Sequence, residues 1–149
     1  MDPRELVNHY LDISENLLSK LVLNKSINSQ SDQYLFILSI EQSLDYLADS
    51  IAESINFKSS KFISYEYQTK WLELSSNQAI KNIINNELVP SGLFHQLKQT
   101  KKILHEPVND LIIVSNETLS LKKFNLLLDK YKEFLIKLSI HQEFCEARL

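Results

Sequence analysis

The stretch of the sequence with the most suggestive chemistry is LKQTKKILHEP, residues 97–107. It places Lys98, Lys101 and Lys102 in a run of helical composition that ends in His105. Residues three and four apart share a helix face, so His105 lies within reach of Lys101 and Lys102. Neighbouring cations disfavour the protonated imidazole, which suits a neutral base near about pH 7. Because the same lysines can bind a phosphodiester, the stretch could support RNA cleavage without a metal.

The same residues are also explained more simply, as the end of an ordinary helix. Basic side chains are favourable in the last turn of a helix, where they complement the macrodipole. Pro107 disfavours helix at the residue before it and so closes the segment. The stretch is therefore one of three things: a catalytic motif that has lost some of its residues, a basic surface that contacts a partner, or the end of an ordinary helix. We favour the contact surface.

Four carboxylates recur at four-residue spacing on a second predicted helix, namely Glu41, Asp45, Asp49 and Glu53. Such a row could coordinate a divalent metal or bind a basic partner. Charged side chains are rarely buried unless they are paired. We therefore expect a solvated face opposite the apolar stripe of this helix.

An aromatic-rich segment follows, in which lysines alternate with rings: Lys58, Lys61, Phe62, Tyr65, Tyr67, Lys70 and Trp71. Aromatic rings flanked by cations can stack the bases of single-stranded nucleic acid. More commonly such rings form core, and the lysines extend from its edge into solvent. We expect core packing here.

Cofactor and metal sites have no sequence support. The four histidines and the single cysteine, Cys145, show none of the spacings of zinc sites or metalloproteases. Glycine-rich phosphate-binding loops are excluded because Gly92 is the only glycine. We expect no metal, no nucleotide and no other cofactor.

The composition bounds the class of protein. Hydrophobic residues make up 44% of the 149 residues and charged residues 23%, as in a folded globular domain. One glycine and three prolines leave few turn positions, which favours helices over a many-stranded fold. The net charge of -3 gives no overall attraction to nucleic acid or to an anionic membrane. With one cysteine, a polar N-terminal segment and no long apolar run, we expect a cytoplasmic protein, without excluding the nucleus, that has no membrane association.

The periodicity predicts a single-domain bundle of about five helices over residues 1–149. The first helix should begin at Asp2, as an aspartate cap followed by proline. The second has the clearest apolar stripe, from Ile37 to Ile55. A third covers about residues 62–84 with a weak middle at 73–79, and a fourth covers 91–105. The run NDLIIVS, residues 109–115, has strand-like composition but no partner, so we expect an extended connector before a last helix that starts at 116–120.

The layout of residues 100–138 resembles the C-terminal half of HEPN domains, which are small all-α domains of prokaryotic toxins and eukaryotic RNA-processing proteins. The shared features are a histidine at a helix end, a break, a short apolar connector and a long closing helix. The family signature is an arginine and a histidine separated by four to six intervening residues, and His105 falls on the histidine position. The arginine position is occupied by Thr100 at the shorter spacing and by Lys98 at the longer one. Lysine cannot reproduce a planar bidentate guanidinium, so the resemblance implies a degenerate member that binds without cleaving.

We therefore expect a non-catalytic interaction module that binds RNA or a protein partner through Lys98, Lys101, Lys102 and His105. One alternative is a metal-independent ribonuclease with His105 as its base. The other is a purely protein-binding adaptor, immunity protein or complex subunit. The resemblance also implies a homodimer, because members of the family commonly dimerise through the region of the motif helices.

Overall fold

The chain folds as an all-α helical bundle, as the sequence predicts. The structure is a computed structural model that describes the backbone at residues 2–23, 29–60, 62, 66–105 and 110–147, and side chains over the same ranges apart from 29–30, 105–120 and 140–147. Within these ranges there are six α-helices and no strand: α1 (Pro3–Leu23), α2 (Ser29–Ser54), α3 (Tyr67–Leu74), α4 (Lys81–Leu88), α5 (Leu93–His105) and α6 (Asp110–Ala147). In the described part of the chain, no helix combines the length and hydropathy needed to cross a bilayer.

The first helix begins where the sequence places it. Asp2 accepts a hydrogen bond from the Glu5 amide at 2.9 Å through its carboxylate, which satisfies one of the free N–H groups of the first turn. α1 packs along α2, and the Ser43 hydroxyl of α2 donates to the Val7 carbonyl at 2.9 Å. The same hydroxyl is hydrogen-bonded to the phenol of Tyr131 on α6, so one buried serine connects three helices.

α2 ends in a Schellman motif. Asn56 adopts a left-handed conformation, with φ of 54°. The Phe57 amide donates to the Ala52 carbonyl at 2.8 Å, and the Asn56 amide donates to Glu53 at 3.3 Å. These two bonds satisfy carbonyls that have no partner within the helix. Asparagine fills the position at which glycine is the usual residue, because its side chain tolerates positive φ.

The predicted third helix is two short helices, α3 and α4, separated at residues 75–80. The separation falls in the weakly apolar middle, where the sequence allows a break. The Ser76 hydroxyl donates to the Glu73 carbonyl at 2.9 Å, and the Ala79 amide donates to the Asn77 side chain at 2.9 Å. Such short polar side chains offer the backbone hydrogen bonds that compete with the helical ones.

A tight corner joins α4 to α5 and depends on Gly92. A Cβ atom at this position would overlap the backbone of Glu87, so no larger residue fits without a shift of the chain. The carboxylate of Glu87 accepts a hydrogen bond from the Leu93 amide at 2.8 Å and so caps the start of α5. Lys130 of α6 donates to the Ser91 carbonyl at 2.8 Å, which attaches the corner to the last helix.

The expected extended connector at NDLIIVS is wrong. α6 begins at Asp110, so all but the first residue of this run is helical. β-branched residues have only a small intrinsic penalty in a helix, and the described part of the chain offers no strand with which this stretch could pair. Residue 109 and the break predicted at 106–108 lie outside the described residues.

The core is centred on an aromatic cluster that joins α3, α5 and α6. Trp71 and Tyr67 of α3 are buried, and the rings of Phe94 and Phe134 pack against Trp71 at centroid distances of 5.9 and 5.1 Å. The indole N–H of Trp71 donates to the Leu44 carbonyl of α2 at 3.1 Å. Core packing of Tyr67 and Trp71 is therefore confirmed, whereas Tyr65 and Lys61 lie outside the described residues.

Candidate functional site

α5 presents two lysines of the predicted contact surface to solvent. Lys98 and Lys102 are exposed, one helical turn apart, on the side opposite the buried Leu93 and Leu97. Among the described residues, neither lysine has an ion pair or a hydrogen bond through its side chain. These two lysines thus form the solvent-exposed part of the predicted surface.

Lys101 is directed elsewhere. Its side chain is 35% exposed, and its ammonium lies 3.0 Å from the Oε1 atom of Glu41, whose side chain is only 9% exposed. Burial alone would lower the pKa of Lys101, but the adjacent Glu41 carboxylate outweighs this effect and leaves the pKa above its usual value. The predicted set of cations is thus divided between an exposed pair and one lysine paired with α2.

The other predicted residue of this surface is His105, the last residue of α5. Its side chain lies outside the described residues, so its proposed role as a base stays a prediction. Thr100, at the arginine position of the shorter family spacing, is buried, and its hydroxyl donates to the Gln96 carbonyl at 2.7 Å. No cation is supplied from that position.

The expected solvated carboxylate face of α2 is wrong for three of its four residues. Glu41 is buried, and Asp45 and Asp49 are half-buried, whereas Glu53 alone is exposed. We call Glu41, Asp45 and Asp49 the carboxylate row. The row faces α3 and α5, and each of these helices provides a lysine to it.

Lys70 of α3 is the counter-ion of two members of the carboxylate row, Asp45 and Asp49. Its side chain is 8% exposed, and it donates to Asp45 at 3.1 Å and to Asp49 at 3.0 Å. The ring centroid of Phe62 lies 5.8 Å from the same ammonium. Lys70 is therefore paired inside the bundle and does not extend into solvent, contrary to the prediction for the lysines of the aromatic segment.

The pKa values around Lys70 follow from burial and mutual attraction. Burial would lower the pKa of Lys70, but the two aspartates outweigh it and raise the pKa. Burial raises the pKa of Asp45, and Lys70 only partly offsets that increase. Two carboxylates share one ammonium, so this part of the site carries a net charge of about -1 when all three groups are ionised.

Glu41 depends on Lys101 for compensation of its charge. Oε1 of Glu41 is fully buried, and the ammonium of Lys101 lies 3.0 Å from it. The neighbouring phenol of Tyr67 has its pKa raised, first by burial and then by the Glu41 carboxylate. The contact with Lys101 is thus an ion pair, in which the ammonium compensates the charge of the buried carboxylate.

The ion pair with Glu41 is more favourable for Lys101 than a contact with an anion outside the bundle. Removal of one partner from a buried ion pair costs about 3–5 kcal/mol, because it leaves an uncompensated buried charge. A contact between an exposed lysine and an anion contributes about 1 kcal/mol or less. Even if solvent access at Lys101 halves the first figure, the internal pair outweighs an external contact.

The carboxylate row does not form a metal site with the residues described. Within that part of the chain, no group of three or more histidine, cysteine, aspartate or glutamate side chains is arranged to hold an ion. Two of the three carboxylates are instead bonded to Lys70. The arrangement is an internal charge network that fixes α3 and α5 against α2.

A signal for these buried charges is present in the sequence and was missed. Each buried charge occupies an apolar stripe, three or four residues from hydrophobic neighbours. Lys70 lies between Tyr67 and Leu74, and Glu41 lies between Ile37 and Leu44. A charge that interrupts an apolar stripe can be expected to have a partner in the core, because it would otherwise be uncompensated there. These two charges pair with other groups and not with each other.

Comparisons of the chain with protein-family models, with curated proteins and with solved structures find no match.

Proposed function

We propose that the chain is a non-catalytic interaction module that binds single-stranded RNA through the exposed lysines of α5. The observation that carries this proposal is the pair Lys98 and Lys102, which are exposed, one turn apart, and without an ion pair among the described residues. Phosphate contacts of this kind supply affinity without sequence preference. The layout that resembles HEPN domains supports RNA as the partner class.

Fluorescence anisotropy with a labelled single-stranded oligonucleotide tests the proposal. Each phosphate contact on a single strand contributes about -0.7 to the slope of log K against log salt, so two lysines predict a slope of about -1.4. Lys98→Gln and Lys102→Gln should each bring the slope close to -0.7 by the same rule. Lys81→Gln, at an exposed lysine of α4, is the matched control and should leave the slope unchanged. Wild-type protein that shows no affinity at low salt would overturn the proposal.

A protein partner with an acidic surface is the second candidate. Ile103, next to Lys102, is 44% exposed and gives the same helix an apolar contact point. The net charge of -3 also repels a nucleic acid, which is an extended polyanion, more strongly than it repels an acidic patch of limited size on a protein. This candidate predicts no RNA affinity at any salt concentration, so the anisotropy titration separates the two.

A metal-independent ribonuclease is the enzymatic alternative, with His105 as the base. It predicts cleavage of single-stranded RNA in the presence of EDTA and loss of that cleavage in His105→Ala. Intact RNA after incubation with wild-type protein at micromolar concentration would exclude it. The absence of a cation at buried Thr100 favours binding over cleavage.

A homodimer and a cytoplasmic location complete the proposal. The dimer is supported by the resemblance, and the location by the single cysteine, which cannot form an internal disulfide. Sedimentation equilibrium tests the first, with a mass of twice 17.4 kDa as the expected result. A mass of one chain at the concentrations used for binding would exclude it.

A further inference from the structure

Lys101 is adjacent in sequence to Lys102 and three residues from Lys98, yet it does not share their environment. Its ammonium is held 3.0 Å from Glu41, while the other two lysines are exposed. About a third of the Lys101 side chain still reaches solvent, on the same helix as the exposed pair. The position of this lysine is thus set by the carboxylate beneath it.

We infer that Glu41 withholds Lys101 from the partner, so that the contact face of α5 works with two cations and keeps a third masked. This inference rests on the proposed RNA binding and names an autoinhibitory contact of the same face. Glu41 Oε1 is fully buried, and Lys101 is the cation that pairs with it among the described residues. A phosphate is itself an anion, so binding of Lys101 to a phosphate would leave the charge of Glu41 uncompensated within the bundle.

Because of this masking, the affinity of the contact face of α5 for RNA depends on Glu41, which does not itself contact the RNA. Glu41 belongs to α2, its side chain is 9% exposed, and it lies beneath the lysine face. Neutralising Glu41 removes the negative charge that attracts the Lys101 ammonium toward α2. The third ammonium then joins the two that already face solvent, and one more phosphate contact becomes available.

The test is the salt dependence of binding of Glu41→Gln to the same single-stranded oligonucleotide. Three contacts predict a slope of about -2.1 where two predict about -1.4, so a fourfold decrease in salt should strengthen binding about 18-fold for the variant and about 7-fold for wild type. Glu53→Gln is the matched control, because it removes the same charge from an exposed position of the same helix. It should keep the wild-type slope.

A second variant distinguishes unmasking from a general change of charge or fold. Glu41→Gln combined with Lys101→Gln removes both partners and should return the slope to about -1.4, with wild-type circular dichroism. Equal slopes for Glu41→Gln and wild type would overturn the inference and leave the proposed function standing if Lys98→Gln still weakens binding. Absence of binding by wild type and by both variants would overturn the two together. Binding by Glu41→Gln alone would support the masking and overturn RNA binding by the native chain.

Discussion

Lys70→Met removes the ammonium that Asp45 and Asp49 share while it keeps a side chain of similar length. Each aspartate then loses a charge-assisted hydrogen bond of 3.0 or 3.1 Å. A hydrogen bond to a charged group contributes about 1.5–3 kcal/mol. Since the two aspartates are 25% and 32% exposed, water recovers part of that loss, and we expect destabilisation of about 2–3 kcal/mol. For a domain of this size, this corresponds to a decrease of roughly 4–12 °C in Tm.

Thermal unfolding followed by circular dichroism at neutral pH measures this decrease. Lys98→Met is the matched control, because Lys98 is exposed and has no ion pair among the described residues, and its effect should stay within about 0.5 kcal/mol. The triple variant Lys70→Met, Asp45→Asn and Asp49→Asn should recover part of the loss, because no uncompensated charge remains. A Tm of Lys70→Met equal to that of the control, or a triple variant less stable than Lys70→Met, would refute the role assigned to Lys70.

Three further perturbations follow from the backbone and from the buried phenols. Gly92→Ala should lower the free energy of unfolding in urea by about 1–3 kcal/mol, because its Cβ would overlap the backbone of Glu87; wild-type stability would contradict the corner described. Asn56→Val should cost about 1–2 kcal/mol in the same assay because its φ is 54°, whereas Asn56→Gly should be neutral or stabilising. Burial raises the pKa of Tyr67 and Tyr131 above the usual value of 10.0, so the stability that the neutral phenols contribute is complete below about pH 10 and is lost as the pH rises above it. Absorbance at 295 nm should show these two tyrosines ionising only when circular dichroism reports unfolding, and earlier ionisation would contradict their burial.

The helical frame is predictable because its determinants are local. The cap at Asp2 and the apolar stripe of α2 both act over three or four residues, and both are confirmed. The misassigned connector shows the limit of such reasoning. Its β-branched composition is a weak local preference, which the surrounding helix overrides from Asp110 onward.

The candidate site is less predictable, because its partners are distant in the sequence. Lys70 follows Asp45 by 25 residues, and Lys101 pairs with Glu41 from another helix. A carboxylate row at four-residue spacing has the same pattern whether it faces water or a lysine on another helix. The apolar neighbours Leu97 and Leu104 set Lys101 apart from Lys98, but they do not identify Glu41 as its partner.

The single tryptophan gives the bundle an intrinsic optical probe. Trp71 is the only indole in the chain and is fully buried, with its N–H bonded to the carbonyl of Leu44. The rings of Phe94 and Phe134 surround it from two other helices, so its emission senses four helices together. Emission quenching by iodide will therefore report the moment at which any of the four separates, without a label and without an introduced chromophore.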